Sequence, residues 1–160
     1  MFTILISLIR RYHTELRGAV VVEAAVILPF LAITGLGAVD ASYMLLQNHK
    51  MEQALVSAAG FMSQSANPVS VESQAKTIAV NGSLAAGSDP LIKNWSPNDI
   101  SISYRLVPNN NGQYRAGDFV RVVELETSLP YHGFGIIKSI RGSHVTLKAS
   151  YQQRMTGAVE

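Results

Sequence analysis

A single carboxylate lies inside an apolar stretch near the N-terminus. Glu23 is the one ionisable residue between Gly18 and Pro29. A carboxylate at the centre of a bilayer costs about 2.5 to 3.5 kcal/mol on insertion scales, so such a residue usually has a partner and a function. If the chain were cut after Gly18, Ala19 would carry a free ammonium group and Glu23 would become the fifth residue. In a helix the two charges would then share one face.

Two acidic residues bracket an uncharged tract with the character of a membrane span. The uncharged residues 24–39 would form about 24 Å of helix, whereas the hydrocarbon core of a bilayer is about 30 Å thick. Glu23 and Asp40 therefore cannot both lie comfortably outside the core. One possibility is that both side chains reach opposite interfaces of a locally thinned bilayer, and we favour an interfacial position for Asp40. The other is that a charge lies within the membrane with a partner, and we favour this for Glu23.

The basic residues of the chain are informative through their position. The segment before the apolar tract contains Arg10, Arg11 and Arg17 against Glu15, and this surplus of two equals the net charge of +2 of the whole chain. Basic residues just before an apolar span keep that end in the cytoplasm. We therefore expect residues 47–160 outside the cytoplasm. Residues 19–160 have balanced charge, which gives no indication of a nucleic-acid partner.

A secretory signal peptide is the alternative interpretation of basic residues followed by an apolar tract. Here the tract is nearly twice as long as a usual signal core, contains Glu23 and has no obvious Ala-x-Ala-like site near its end, so this interpretation is disfavoured. The apolar residues 2–9 are too few to span a bilayer. They are expected to lie along its inner leaflet, and the sequence assigns them no role.

The spacing of Gly18 and Glu23 resembles the processing site of type IV pilins and pseudopilins. In that family a prepilin peptidase cuts after a glycine, and a glutamate at the fifth position of the mature chain guides subunit assembly. The resemblance implies cleavage between Gly18 and Ala19 and an assembly role for Glu23. Ala19 stands where most type IV pilins have phenylalanine, so the chain is closer to pseudopilins than to major pilins.

Residues 17–64 more specifically resemble the TadE-like family of the tight-adherence, or Flp pilus, machinery. The residues that carry this resemblance are Arg17-Gly18, Val22-Glu23, Leu28-Pro29, the tract Gly37-Ala38-Val39-Asp40, and Ala54 with Ala58-Ala59. It implies a non-enzymatic minor component or assembly factor of such a pilus, located in the bacterial inner membrane. The implied partners are prepilin peptidase, other pilin or pseudopilin subunits, the inner-membrane pilus platform and the lipid bilayer.

One long helix is predicted to cross the membrane and continue beyond it. Apolar residues recur at helical spacing from Met51 to Met62, which extends the spanning helix of residues 19–46 to about residue 64. Pro29 is expected to kink this helix, because proline removes a backbone donor and crowds the carbonyl four residues earlier. Residues 1–18 form a basic leader before it.

Small residues line one side of the spanning helix. Thr34, Ala38 and Ser42 are spaced by four, as are Gly37 and Ala41. Such spacing lets helices approach closely in lipid and would suit lateral packing between subunits. Chance occurrence in a span rich in alanine and glycine is equally open as an explanation.

Residues 47–160 are predicted to complete an α+β, pilin-like fold. A short helix over residues 68–80 starts with proline and stops at Asn81-Gly82. Trp95 is expected to anchor the following loop on the core. Alternating apolar residues predict three strands of a small antiparallel sheet within residues 100–152, and residues 134–140 are expected to cross between the last two strands as a short helix or loop.

Enzymatic chemistry has little support in the sequence. The chain has four histidines without metal-ligand spacing and no cysteine, and no metal-binding or phosphate-binding motif is present. Glu124 and Glu126 share a strand face and could form a carboxylate pair, but an exposed face explains them better. We expect no catalytic residue, metal or cofactor. The histidines are His13, His49, His132 and His144.

Three hypotheses follow for function. The first is a TadE-like pseudopilin that is processed after Gly18. The second is a membrane-anchored extracytoplasmic binding or adaptor module that is never processed. The third and weakest is a tethered hydrolase, which would need a concave site. The fate of the bond between Gly18 and Ala19 distinguishes the first two.

Overall fold

The computed structural model describes most of the chain beyond the leader. The described residues are 16–85, 88–110, 118–135, 137, 139, 142 and 145–156. The apolar segment 2–9, Arg10, Arg11 and Ile140 lie outside the described residues, as do the placements predicted for them.

Helix α1 (Leu16–Gln64) confirms the predicted long N-terminal helix. It contains 49 residues, which corresponds to about 73 Å. Pro29 lies inside the helix, and the expected kink there stays a prediction. The stretch Gly18–Gln64 is long and apolar enough to span a membrane. None of the side chains in its most apolar part is buried, as lipid contact requires.

The remaining elements form a small α+β domain against the second half of α1. A 3-10 turn (Val69–Val71) leads into α2 (Glu72–Asn81), and Gly82 ends α2 with a left-handed φ of 73°. The strands are β1 (Ile100–Pro108), β2 (Phe119–Pro130) and β3 (Thr146–Arg154), preceded by a 3-10 turn (Pro97–Asp99). The three predicted strands are thus confirmed. A short helix is present as well, but it begins at Glu72 and not at residue 68, because a 3-10 turn occupies Val69–Val71.

The sheet is antiparallel, with β2 between β1 and β3. Leu125 of β2 pairs with Ile102 on one side and with Tyr151 on the other. This register places the apolar residues of all three strands on one face, because side chains alternate along a strand. Val123 and Leu125 are fully buried on that face.

The core lies between this face of the sheet and one stripe of α1. Full burial of a Leu or Met side chain contributes about 1.5 to 3 kcal/mol, so the stripe is a main source of the domain's stability. The buried members of the stripe are Asp40, Met51, Ala54, Leu55, Ala58, Ala59, Met62 and Ser63. Trp95 is 3% exposed and donates from Nε1 to Oγ1 of Thr127 at 3.1 Å, which confirms that it anchors its loop on the core.

Candidate functional site

The residues of the predicted processing and assembly site lie in the first turns of α1. Gly18, Ala19 and Glu23 are exposed and belong to one continuous helix. A methyl group added at Gly18 would meet no atom within 4 Å. The structure thus leaves the Gly18–Ala19 bond and the Glu23 carboxylate accessible along the helix surface, and their roles stay predictions.

The small residues form an accessible side of the spanning helix. Thr34, Ala38, Ala41 and Ser42 are exposed, while Gly37 is half-buried. The hydroxyl of Ser42 donates to the carbonyl of Ala38 at 2.8 Å, and that of Thr34 lies 3.0 Å from the Phe30 carbonyl. Because both hydroxyls are satisfied inside the helix, they present no unpaired polar group to lipid. Lateral packing on this side stays a prediction.

Asp40 is the most unusual residue of the helix. Its side chain is 0% exposed, so the expectation that it reaches out to a membrane interface is wrong. Oδ1 accepts hydrogen bonds from the Tyr131 hydroxyl at 2.5 Å and from the Phe134 N–H at 3.0 Å. Oδ2 accepts from the Ile137 N–H at 3.0 Å. A carboxylate can be buried at an apolar helix when its oxygens find such donors.

The donors to Asp40 come from the segment that follows β2, which we call the Asp40 loop (residues 131–135 and 137). The Tyr131 N–H donates to the Val145 carbonyl at 2.7 Å, which ties the start of this loop to the residue before β3. A β-carbon at Gly133 would collide with the Tyr131 phenol and with Oδ1 of Asp40. Glycine at position 133 is therefore what permits the loop to approach the carboxylate.

The environment of Tyr131 favours its neutral phenol. Burial raises the pKa of the phenol above its usual value near 10, and the hydrogen bond to Asp40 and the negative charge of that carboxylate add to the rise. The neutral phenol is the form that can donate a hydrogen bond to Asp40.

A second attachment lies at the other end of the domain. The N–H and the hydroxyl of Thr156 lie 2.9 and 3.0 Å from the main-chain carbonyl of Ser63. Ser63 and Asp40 are separated by about 35 Å along a regular helix. Asp40 and Ser63 therefore fix the sheet along α1 at both ends.

Sequence reasoning missed the role of Asp40, although a signal was present. Asp40 continues the helical spacing of the buried stripe through Met44, which packs partly buried against the core. This spacing is hidden in the sequence, because residues 19–46 also have the composition of a membrane span. The three donors also lie more than ninety residues away along the chain.

The candidate carboxylate pair lies on the polar face of the sheet, where an open cavity of about 440 Å³ is lined in part by Glu126 and Lys148. Glu124 accepts a hydrogen bond from Gln152 at 2.6 Å on the polar face of the sheet, and Glu126 is exposed there. Within the part of the chain that the structure describes, no group of three or more potential metal ligands occurs.

Comparison with known proteins identifies the N-terminal part of the chain. Residues 18–59 match the family model of TadE-like proteins. The TadE-like match begins at the predicted cleavage position, includes Glu23 and Asp40, and ends inside α1. It confirms the resemblance inferred from the residues around Gly18 and indicates a component associated with a Tad pilus. No curated protein and no solved structure matches the chain.

The long apolar helix and the TadE-like match together describe a single-pass, membrane-anchored protein. TadE-like proteins are pilus components and are not known as enzymes.

Proposed function

We propose that the protein is a TadE-like pseudopilin of the bacterial inner membrane, cut by prepilin peptidase after Gly18. It would act as a non-enzymatic minor component or assembly factor of a Flp-type pilus. The observation that carries this proposal is the TadE-like match, which begins at Gly18 and includes an exposed glutamate five residues later in the same helix.

Glu23 and the small residues support a role in lateral assembly. In a regular helix of 3.6 residues per turn, Glu23 and Ala41 are five full turns apart and lie on one side. Ala41 and Ala38 are exposed, whereas the adjacent side of α1 holds Asp40 and the buried stripe. The side with Glu23 is thus left for a neighbouring subunit, whose ammonium group at Ala19 would neutralise the carboxylate in lipid.

The orientation of the protein follows from its charges. Arg10, Arg11 and Arg17 precede the span, whereas Lys50 is the only lysine or arginine in the ten residues after it. This asymmetry favours an N-terminus in the cytoplasm and a sheet domain outside it. A reporter that is active only after export, fused behind Glu160, should be active. Activity of a cytoplasm-dependent reporter at that position would contradict both the orientation and the pseudopilin assignment.

Mass measurement of the protein from membranes tests the processing step. In cells with prepilin peptidase the mature chain should begin at Ala19, and without the peptidase the full chain should persist. Gly18→Leu should block the cut, because a bulky side chain would obstruct the protease. Gly35→Leu is the matched control, since Gly35 lies in the same helix with equally open surroundings, and it should be cut normally.

The opposite result has a clear meaning. If the intact chain from Met1 to Glu160 is the functional form in cells that contain the peptidase, the processed pseudopilin is excluded. The unprocessed extracytoplasmic adaptor module would then be the better assignment.

A further inference from the structure

Three aromatic side chains gather where the Asp40 loop meets α1. The rings of Tyr43 and Phe134 have centroids 5.9 Å apart, and those of Tyr43 and Tyr131 are 6.4 Å apart. We call Tyr43, Tyr131 and Phe134 the aromatic cluster. Phe134 is 69% exposed and Tyr43 is 41% exposed, so two of the three rings present apolar surface beside α1.

The exposure of Phe134 is built into the loop. Its N–H is bound to Oδ1 of Asp40, so the backbone of residue 134 is held against α1. Gly133, whose missing side chain allows that approach, precedes it directly. The ring is thus fixed beside the helix at the level of Asp40 and Tyr43.

The helix at this level has the surface of a lipid-embedded segment. Val39, Leu45 and Leu46 are each more than half exposed. At 100° per residue Val39 and Leu46 lie on one side of α1, and Leu45 lies about 120° away from Val39. Outside the buried stripe, exposed apolar side chains thus face more than one side of α1, which is typical of a membrane span, whereas a single protein interface would make one side apolar. Lipid contact therefore extends beyond Asp40 to about Leu46, and the Asp40 loop lies within that zone.

We propose that the aromatic cluster binds the phospholipid interface at the domain side of the membrane, with the Phe134 ring inserted among the lipids. Aromatic side chains are enriched at this depth of a bilayer because their rings suit the boundary between headgroups and acyl chains. The loop would then hold the domain on the membrane and shield the Asp40 carboxylate from lipid. This inference rests on the membrane anchoring of α1 and is independent of cleavage after Gly18.

Tryptophan substitutions in the full chain, reconstituted as single copies in phospholipid nanodiscs, test the proposal. The chain has one native tryptophan, Trp95, which is buried. The Trp95 emission is subtracted from the emission of each variant. The wavelength of the Trp95 emission reports whether the domain is folded. Lipids brominated near the headgroup end of the acyl chains are the quencher. Tyr43→Trp, on α1 itself, calibrates the signal of a ring at the lipid interface.

Phe119→Trp provides the matched negative control. Phe119 is also an exposed phenylalanine, at 60%, and it begins β2 while the Asp40 loop follows the end of that strand. The two ends of the 12-residue strand are about 36 Å apart. We expect the emission of Phe134→Trp to be quenched as strongly as that of Tyr43→Trp, and the emission of Phe119→Trp to be unaffected.

Two results would overturn the proposal. Emission of Phe134→Trp that is as insensitive to brominated lipid as that of Phe119→Trp would show that the ring does not reach the bilayer. If the emission of Phe134→Trp is also insensitive to brominated lipid in single-copy nanodiscs, and position 134 crosslinks to a second copy in vesicles, the aromatic cluster forms a contact between subunits instead.

Discussion

The Tyr131 hydroxyl lies 2.5 Å from Oδ1 of Asp40 and 2.8 Å from the main-chain carbonyl oxygen of the same residue. This contact joins the end of the sheet's central strand to the spanning helix across 91 positions of sequence. Together with the hydrogen bonds between Thr156 and Ser63, it attaches the sheet to α1 at both ends. The tilt of the helix in the membrane therefore sets the orientation of the whole domain.

Asp40→Asn should weaken the attachment of the Asp40 loop. The amide keeps one acceptor oxygen but places an NH2 group where the other oxygen accepts a main-chain N–H, so one donor loses its partner. A buried donor without a partner costs about 1 to 3 kcal/mol. Hydrogen exchange at the Phe134 and Ile137 amides should become faster. Asp89→Asn, at an exposed aspartate, is the control and should leave both amides unchanged.

Tyr131→Phe should alter how stability depends on alkaline pH. The pKa of the Tyr131 phenol is raised in the folded protein, so above about pH 10 the unfolded chain releases this proton while the folded chain keeps it. The stabilisation is thus fully present below pH 10 and is lost as the pH rises towards the folded pKa. The free energy of unfolding of the wild type should fall more steeply above pH 10 than that of Tyr131→Phe. Parallel curves would refute this linkage.

Gly133→Ala should destabilise the protein, because the added methyl group overlaps the Tyr131 phenol and the Asp40 carboxylate. The loop must withdraw and give up hydrogen bonds to a charged group, each worth about 1.5 to 3 kcal/mol. Gly60→Ala is the contrasting variant. Gly60 lies inside α1 with open space around it, so alanine there should stabilise the helix by about 0.5 to 1 kcal/mol. Thermal unfolding of both variants would test the difference, and equal effects would argue against the close approach at Gly133.

Glu23→Gln should leave membrane insertion intact and weaken co-purification with pilin-like partner subunits. The neutral amide cannot form an ion pair with the ammonium group of a neighbouring Ala19, so the stabilisation of correct lateral packing is lost. Glu126→Gln removes the same charge from the exposed face of the sheet and should not affect assembly. If Glu23→Gln co-purifies with these subunits as well as the wild type does, Glu23 is only a tolerated charge at the membrane interface.

Local patterns in the sequence were sufficient for the secondary structure. The long helix, the stop at Gly82 and the three strands all follow from the spacing of apolar residues and from turn-forming residues near in sequence. The stretch that matches TadE-like proteins is likewise local, since Gly18 and Glu23 lie within one short segment. Such features need no knowledge of where distant parts of the chain meet.

The environment of Asp40 was decided by the tertiary structure alone. By itself, an aspartate at the end of an apolar tract predicts a side chain that escapes to water. Here Tyr131, Phe134 and Ile137 supply donors from beyond the second strand, and Gly133 makes room for them. The sequence by itself determined a spanning helix and a small sheet. Only the fold brought the loop to the helix, because the burial of a charge depends on donors whose positions are set by the packing of the entire domain.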